Sequence, residues 1–177
     1  RGVVRHNPAA ALRPPKVVRS APRFLTVDEA LRVVAAPADD GARAKPLALR
    51  DRAILELLYS FGVRVSELAS LRTTGLDLRG RTGRVVGKGD KERRIFFGSV
   101  ASGAITEWLA VRSLCVGKDG QQDPDALFLG RFGTPLTVRQ IENIVRRYGA
   151  LGTARADLHP HALRHSAATH LLDAGGD

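Results

Sequence analysis

At 177 residues, with 44% hydrophobic and 26% charged positions, the chain has the size and composition of one globular domain with a proper core, short of two full domains. No apolar run approaches the ~20 residues that cross a bilayer, and no signal peptide is visible at the start; the single cysteine, Cys115, excludes an intramolecular disulfide framework and fits a reducing compartment. A formal net charge of +10 calls for a polyanionic partner, nucleic acid first, and the question becomes where that charge lies.

The first 24 residues hold four prolines and six lysines or arginines with no acid. Proline fixes φ and removes amide donors, so regular structure is not expected there. An interdomain linker lying along a phosphate backbone and a merely disordered basic tail both fit. Arg1 and the lack of any methionine point to an internal piece of a longer protein.

Order is expected from LTVDEALRVVAAP. Thr26 and Glu29 have capping-box spacing, and apolar periodicity follows until Pro37. A second helix covers KPLALRDRAILELLYSFG, with Leu47, Ile54, Leu55 and Leu58 inward and a stop at Gly62. A short third, VRVSELASL, follows. The period then changes: GRVVGKGDKERRIFFG predicts a β-hairpin turning at Gly89 and Asp90. A helix over residues 99–115 carries Ile105, Trp108 and Leu109 on one stripe, and places Cys115 late in that helix as a small apolar residue. DALFLG is a short strand or an extended segment. TPLTVRQIENIVRRYG predicts a helix capped by Thr137, and the last helix starts at Pro160 and ends near Gly175. The fold class expected is α+β, mainly helical, with a small antiparallel sheet.

Three stretches carry chemistry. Arg64 follows a glycine break at a helix start, where a cation opposes the positive end of the helix dipole. The conflict disappears if an anion binds there, with free amides and the guanidinium converging on it. Glu67 stands one turn on and can hold the arginine; a solvated i,i+3 salt bridge is the competing reading. The stretch RGRTGRVVGKGDKERRIF sets seven basic residues against two acidic ones, a ribbon that repels itself unless polyphosphate neutralises it. Lys88 lies between two glycines at its tip, where an ammonium can protonate a leaving oxygen as an always-charged arginine cannot. In the closing LHPHALRHSAATHLLDAGGD, His161 and Arg164 share a helical face. Imidazole handles a proton near neutral pH, and guanidinium clamps phosphate oxygens. His161 and His165 have the spacing of a zinc helix, but HALRH lacks the glutamate of HExxH and Arg164 would repel a metal. His165 and His170 read as packing histidines.

The segments LRDRAILELLYSFGVRVSELASL, GRVVGKGDKERRIFFG, FGTPLT and LHPHALRHSAATHLLDAGGD together resemble the catalytic domain of tyrosine recombinases of the phage-integrase family, nearest the bacterial XerC/XerD type. The likeness runs from about Phe24 onward with four motifs in order. It implies catalytic roles for Arg64, Lys88, His161 and Arg164, with Glu67 supporting the first arginine. Lys91, Arg93, Arg131, Thr134 and Arg139 are candidates for DNA contact.

The resemblance further implies that residues 1–24 are an interdomain linker and the end of an amino-terminal core-binding domain. Residues 25–177 would then be a catalytic domain truncated before its nucleophile, since neither Tyr59 nor Tyr148 stands at that position, and the piece alone is expected to be inactive. The implied reaction cuts and rejoins DNA strands through a 3′-phosphotyrosyl intermediate with no metal or other cofactor. The partners implied are double-stranded DNA and a homo- or hetero-tetramer with a second recombinase, in the bacterial cytoplasm at the nucleoid, for chromosome dimer resolution. A phage or mobile-element integrase and a non-catalytic DNA-binding module are the alternatives. His159, where the family often has Ser or Thr, leads to the expectation of a looser helix start.

Overall fold

Thr26 and Thr137 open two helices by the same reciprocal device. In each, the threonine hydroxyl accepts from the backbone N–H three residues on, at 3.2 Å from Glu29 and 3.3 Å from Gln140. The Glu29 and Gln140 side chains accept the threonine N–H in return, both at 2.8 Å. The computed structural model describes residues 24–41, 44–86, 92–173 and 175. The proline-rich start up to residue 23, the hairpin tip with Lys88, Gly89, Asp90 and Lys91, and the last two residues lie outside the described residues.

Helix α1 spans Val27–Asp39 and continues past the expected end at Pro37. The missing amide falls in the last turn, where it forfeits one intrahelical bond, and the ring is buried there. Helix α2, Lys45–Phe61, buries Ala53, Ile54, Leu55, Leu57 and Leu58 completely. It stops at Gly62, whose φ of 53° is the left-handed conformation glycine adopts without penalty. Helix α3, Val65–Ala69, starts three residues later.

Three antiparallel strands follow in the order β1–β2–β3: β1 Leu76–Asp77, β2 Thr82–Val86 and β3 Glu92–Phe96. Strands β2 and β3 form the expected hairpin. The pairing Gly83↔Ile95 and Val85↔Arg93 puts those four on one face, while Arg84↔Arg94 sits on the other. Strand β1 was not anticipated; two residues are too few to carry an alternation.

Helix α4, Ser99–Val111, buries Ile105 and Trp108, then tightens into a 3₁₀ turn at Arg112–Leu114. Cys115 therefore lies beyond the helix, buried as expected. The segment 125–130 forms no regular strand: it bends between the isolated bridges Arg72↔Ala126 and Leu129↔Pro135. Side-chain donors hold it to the core: Trp108 Nε1 to the Leu127 carbonyl at 2.8 Å, an Arg50 nitrogen to Leu129 at 2.7 Å, and an Arg112 nitrogen to Ala126 at 2.6 Å.

Helix α5, Val138–Thr153, inserts Ile141, Val145 and Tyr148 into the core. The Tyr148 hydroxyl donates to Asp51, itself paired with its α2 neighbour Arg50. Helix α6, Pro160–Asp173, packs on α2 and α1. Its start is capped: the Ala162 N–H donates to His159 Nδ1 at 3.1 Å, so this imidazole serves as a side-chain acceptor where a looser start was expected.

Candidate functional site

Gly62 lets the chain reverse tightly enough that Arg64 faces the first turns of α6. The two elements bound a cleft of about 620 Å³. One wall is Val63, Arg64, Val65 and Ser66; the other is Pro160, His161, Arg164, His165 and Ala168. Arg64, His161 and Arg164, roughly a hundred residues apart in sequence, thus share one opening. The Arg164 stem runs over Gly62, where an added Cβ would stand 2.9 Å from its Cγ.

Glu67 organises the first wall. It is 1% exposed and receives four hydrogen bonds. Its Oε1 accepts from an Arg64 terminal nitrogen at 2.9 Å and Arg93 Nε at 3.0 Å; its Oε2 accepts from the Arg64 backbone N–H at 2.9 Å and an Arg93 terminal nitrogen at 2.6 Å. Burial pushes the carboxyl pKa up, but the bonds from Arg93 and Arg64 outweigh it and bring it down to about 2. The Arg64 amide is therefore occupied by Glu67.

Electrostatics on the second wall run the other way. Burial lowers the Arg164 pKa, and the charge of Arg64 lowers it further, with Glu67 opposing. Among the described residues, three guanidiniums surround this corner against a single carboxylate, an excess that an anion in the cleft would relieve.

The other expected residues fall in three groups. Lys88 and Lys91 lie outside the described residues. Arg93, a candidate for DNA contact, pairs with Glu67 through both carboxylate oxygens, the shorter bond at 2.6 Å, and keeps 42% of its side chain exposed. Arg131, Thr134 and Arg139 are exposed and away from the cleft. The Arg131 guanidinium sits 5.0 Å over the Phe132 ring and borders a separate hollow of about 410 Å³ with Gln140 and Arg147.

Three features were missed. His165 is no core residue: it is exposed, lines the cleft, and lies between the Phe24 ring at 4.5 Å and the His161 ring at 6.1 Å. Arg84 and Arg94 face each other on the outer side of the hairpin, a like-charge pair that is unfavourable without a neutralising anion. Strand alternation held the signal, because inward Ile95 requires outward Arg94 and inward Arg93. Gly62 was legible as a helix stop but not as the floor under Arg164. His170 does pack as expected, between the Tyr59 hydroxyl and the Leu25 carbonyl, both at 3.0 Å.

A family model described as "Phage integrase family" matches residues 23–177. Tyrosine recombinase XerC of Mycobacterium tuberculosis (strain ATCC 25177 / H37Ra) is 45% identical over 179 residues, covering 100% of this chain and 59% of that protein. Tyrosine recombinase XerC of Xylella fastidiosa (strain M23) is 44% identical over 177 residues, covering 100% and 56%. The chain thus spans a little over half the length of these curated relatives. Among solved structures, the crystal structure of XerA recombinase superposes with a TM-score of 0.74 at 29% identity, over 89% of this chain and 53% of the other. The mainly helical fold with its three-stranded sheet is the fold of that recombinase. With the match running across every described element, from the segment before α1 to the end of α6, this chain belongs to the phage integrase family.

Proposed function

We propose that the chain is the phosphate-clamping core of a bacterial site-specific tyrosine recombinase, acting on double-stranded DNA. The observation that carries the reading is the convergence of Arg64, His161 and Arg164 on one cleft with a surplus of positive charge. Residues 25–177 form its catalytic domain and residues 1–24 its linker; the nucleophilic tyrosine comes from outside these 177 residues, since Tyr148 is buried and bonded to Asp51, and Tyr59 is bonded to His170. The identity to proteins named XerC supports chromosome dimer resolution over a mobile-element role. The proposal extends to a bacterial cytoplasmic setting at the nucleoid and a homo- or hetero-tetramer with a second recombinase.

In the proposed reaction the tyrosine oxygen attacks the scissile phosphorus, a P–O bond to tyrosine forms, and the bond to the 5′ oxygen breaks. Arg64 and Arg164 neutralise charge gathering on the non-bridging oxygens, an effect worth ~2.7–4 kcal/mol for a single preorganised donor. His161 takes the tyrosine proton or donates to the same oxygens. Lys88 supplies the proton to the 5′ oxygen. The phosphodiester energy is kept in the covalent ester, so rejoining requires no nucleotide.

The full-length gene product, incubated in EDTA with genomic fragments of its source, tests this reading. Protein attached at 3′ ends beside free 5′ hydroxyls, concentrated at one chromosomal locus, is the expected result. Adducts at 5′ ends would contradict the reading, 3′ adducts concentrated at mobile-element ends would favour the integrase alternative, and a protein that binds DNA without ever attaching to it would favour the non-catalytic DNA-binding module.

A further inference from the structure

Arg93 leaves strand β3 on the face shared with Val85 and Ile95 and reaches Glu67 of α3, with its side chain still 42% exposed. Both oxygens of Glu67 receive one bond from Arg64 and one from Arg93, which uses the four acceptor positions a carboxylate offers. Each arginine does something different with that carboxylate. Arg64 gives its backbone N–H to one oxygen and a single terminal nitrogen to the other, and its side chain stays 60% exposed on the cleft side. Arg93 spans both oxygens with its planar fork, Nε to one and a terminal nitrogen to the other. The Arg64 guanidinium itself rests on a single bond to one carboxylate oxygen, whereas the rigid fork of Arg93 pins both oxygens in one plane. The direction of the Arg64 guanidinium therefore depends on a residue that does not face the cleft.

We propose that Arg93 is a positioning residue of the phosphate clamp: by fixing the plane of the Glu67 carboxylate it sets the direction in which Arg64 meets the scissile phosphate, and so registers the β2–β3 hairpin against the clamp. This rests on the recombinase reading above. Arg93 acts through Glu67 and makes no DNA contact of its own. A lysine in its place would keep the charge but not the plane, since an ammonium is a point donor.

The test uses the full-length gene product on its own cleavage site, with single-turnover cleavage rate and duplex Kd measured separately. Arg93→Ala should lower the rate about tenfold to a hundredfold, the scale of an ångström-level misplacement, with Kd changed less than about threefold. Arg93→Lys should recover little of the rate. Adding Arg93→Ala to Glu67→Ala should cost nothing further, because both changes remove the same support. An unchanged rate, a full recovery by lysine, a loss confined to Kd, or losses that multiply in the double variant would each overturn the proposal. Arg93→Gln, closer in bulk, serves where the alanine variant folds poorly, and the same rate loss is expected. A wild-type protein that never attaches to DNA would sink the recombinase reading instead. The positioning claim is then decided by NMR: Arg93→Ala should raise the Glu67 titration and loosen the Arg64 side chain, and an Arg64 signal that stays ordered contradicts it.

Discussion

Replacing Arg164 by alanine in the full-length gene product is expected to abolish detectable covalent attachment to DNA, with a loss of roughly a hundredfold to a thousandfold or more in single-turnover rate. Duplex binding should stay nearly intact. The two effects separate because they draw on different charges. Affinity for duplex DNA comes from counterion release summed over a chain with net charge +10, and losing one cation from that sum changes it little. Cleavage depends on charge placed before the reaction at one point, and Arg164 is placed there at a cost. Its guanidinium is half-buried, its pKa is pulled down by that burial and then by Arg64, and its stem lies against Gly62. A denaturing gel for the adduct beside a mobility-shift titration checks both halves. Equal losses in the two assays would make Arg164 a DNA-binding residue without a special role in the reaction.

The second large effect concerns Glu67. Glu67→Gln should destabilise the protein by about 3 kcal/mol at pH 7, because a buried carboxylate serving two guanidiniums loses its charge while both cations remain. The dependence on pH has a definite sign. The folded-state pKa, about 2, lies below the ordinary value of 4.5, so the stabilisation is fully present above about pH 4.5 and fades as pH falls toward 2. Urea midpoints of the wild type and Glu67→Gln, taken across that range, should converge at the acid end. A stability difference that persists unchanged down to pH 2 would mean that Glu67 contributes through packing and not through its charge. Activity should fall along with stability at neutral pH, since Arg64 loses the partner that orients it.

The helical framework was legible because its signals are local. Capping boxes at Thr26 and Thr137, a glycine after α2 and a proline opening α6 each act within a single turn. The hairpin was legible from alternation around GKGDKER. The features that escaped depend on distant partners. Pro37 inside α1 is tolerated because the ring is buried, which its own neighbours do not reveal. Strand β1 exists only because β2 offers it an edge.

Within the site, Arg64, Glu67, His161 and Arg164 could be named from motif spacing, whereas the pairing of Arg93 with Glu67 could not be read from its charge. A basic residue on a basic ribbon suggests a phosphate contact; the ion pair that Arg93 makes depends on the buried Glu67, which its own strand does not reveal. His165 shows the converse. Read as a packing histidine, it does meet the Phe24 ring, yet it stays exposed at the cleft edge. His159 caps α6 because an unprotonated ring nitrogen accepts an amide as a hydroxyl would.

The most direct measurement is a crystal structure of the full-length protein bound to an uncleaved duplex containing its own site. The account predicts the scissile phosphate in the cleft between α3 and α6, with Arg64 and Arg164 both bonded to its non-bridging oxygens and His161 beside it. A duplex whose phosphate lies elsewhere, for instance over the hollow at Arg131 and Arg147, with Arg64 and Arg164 left facing solvent, would contradict it.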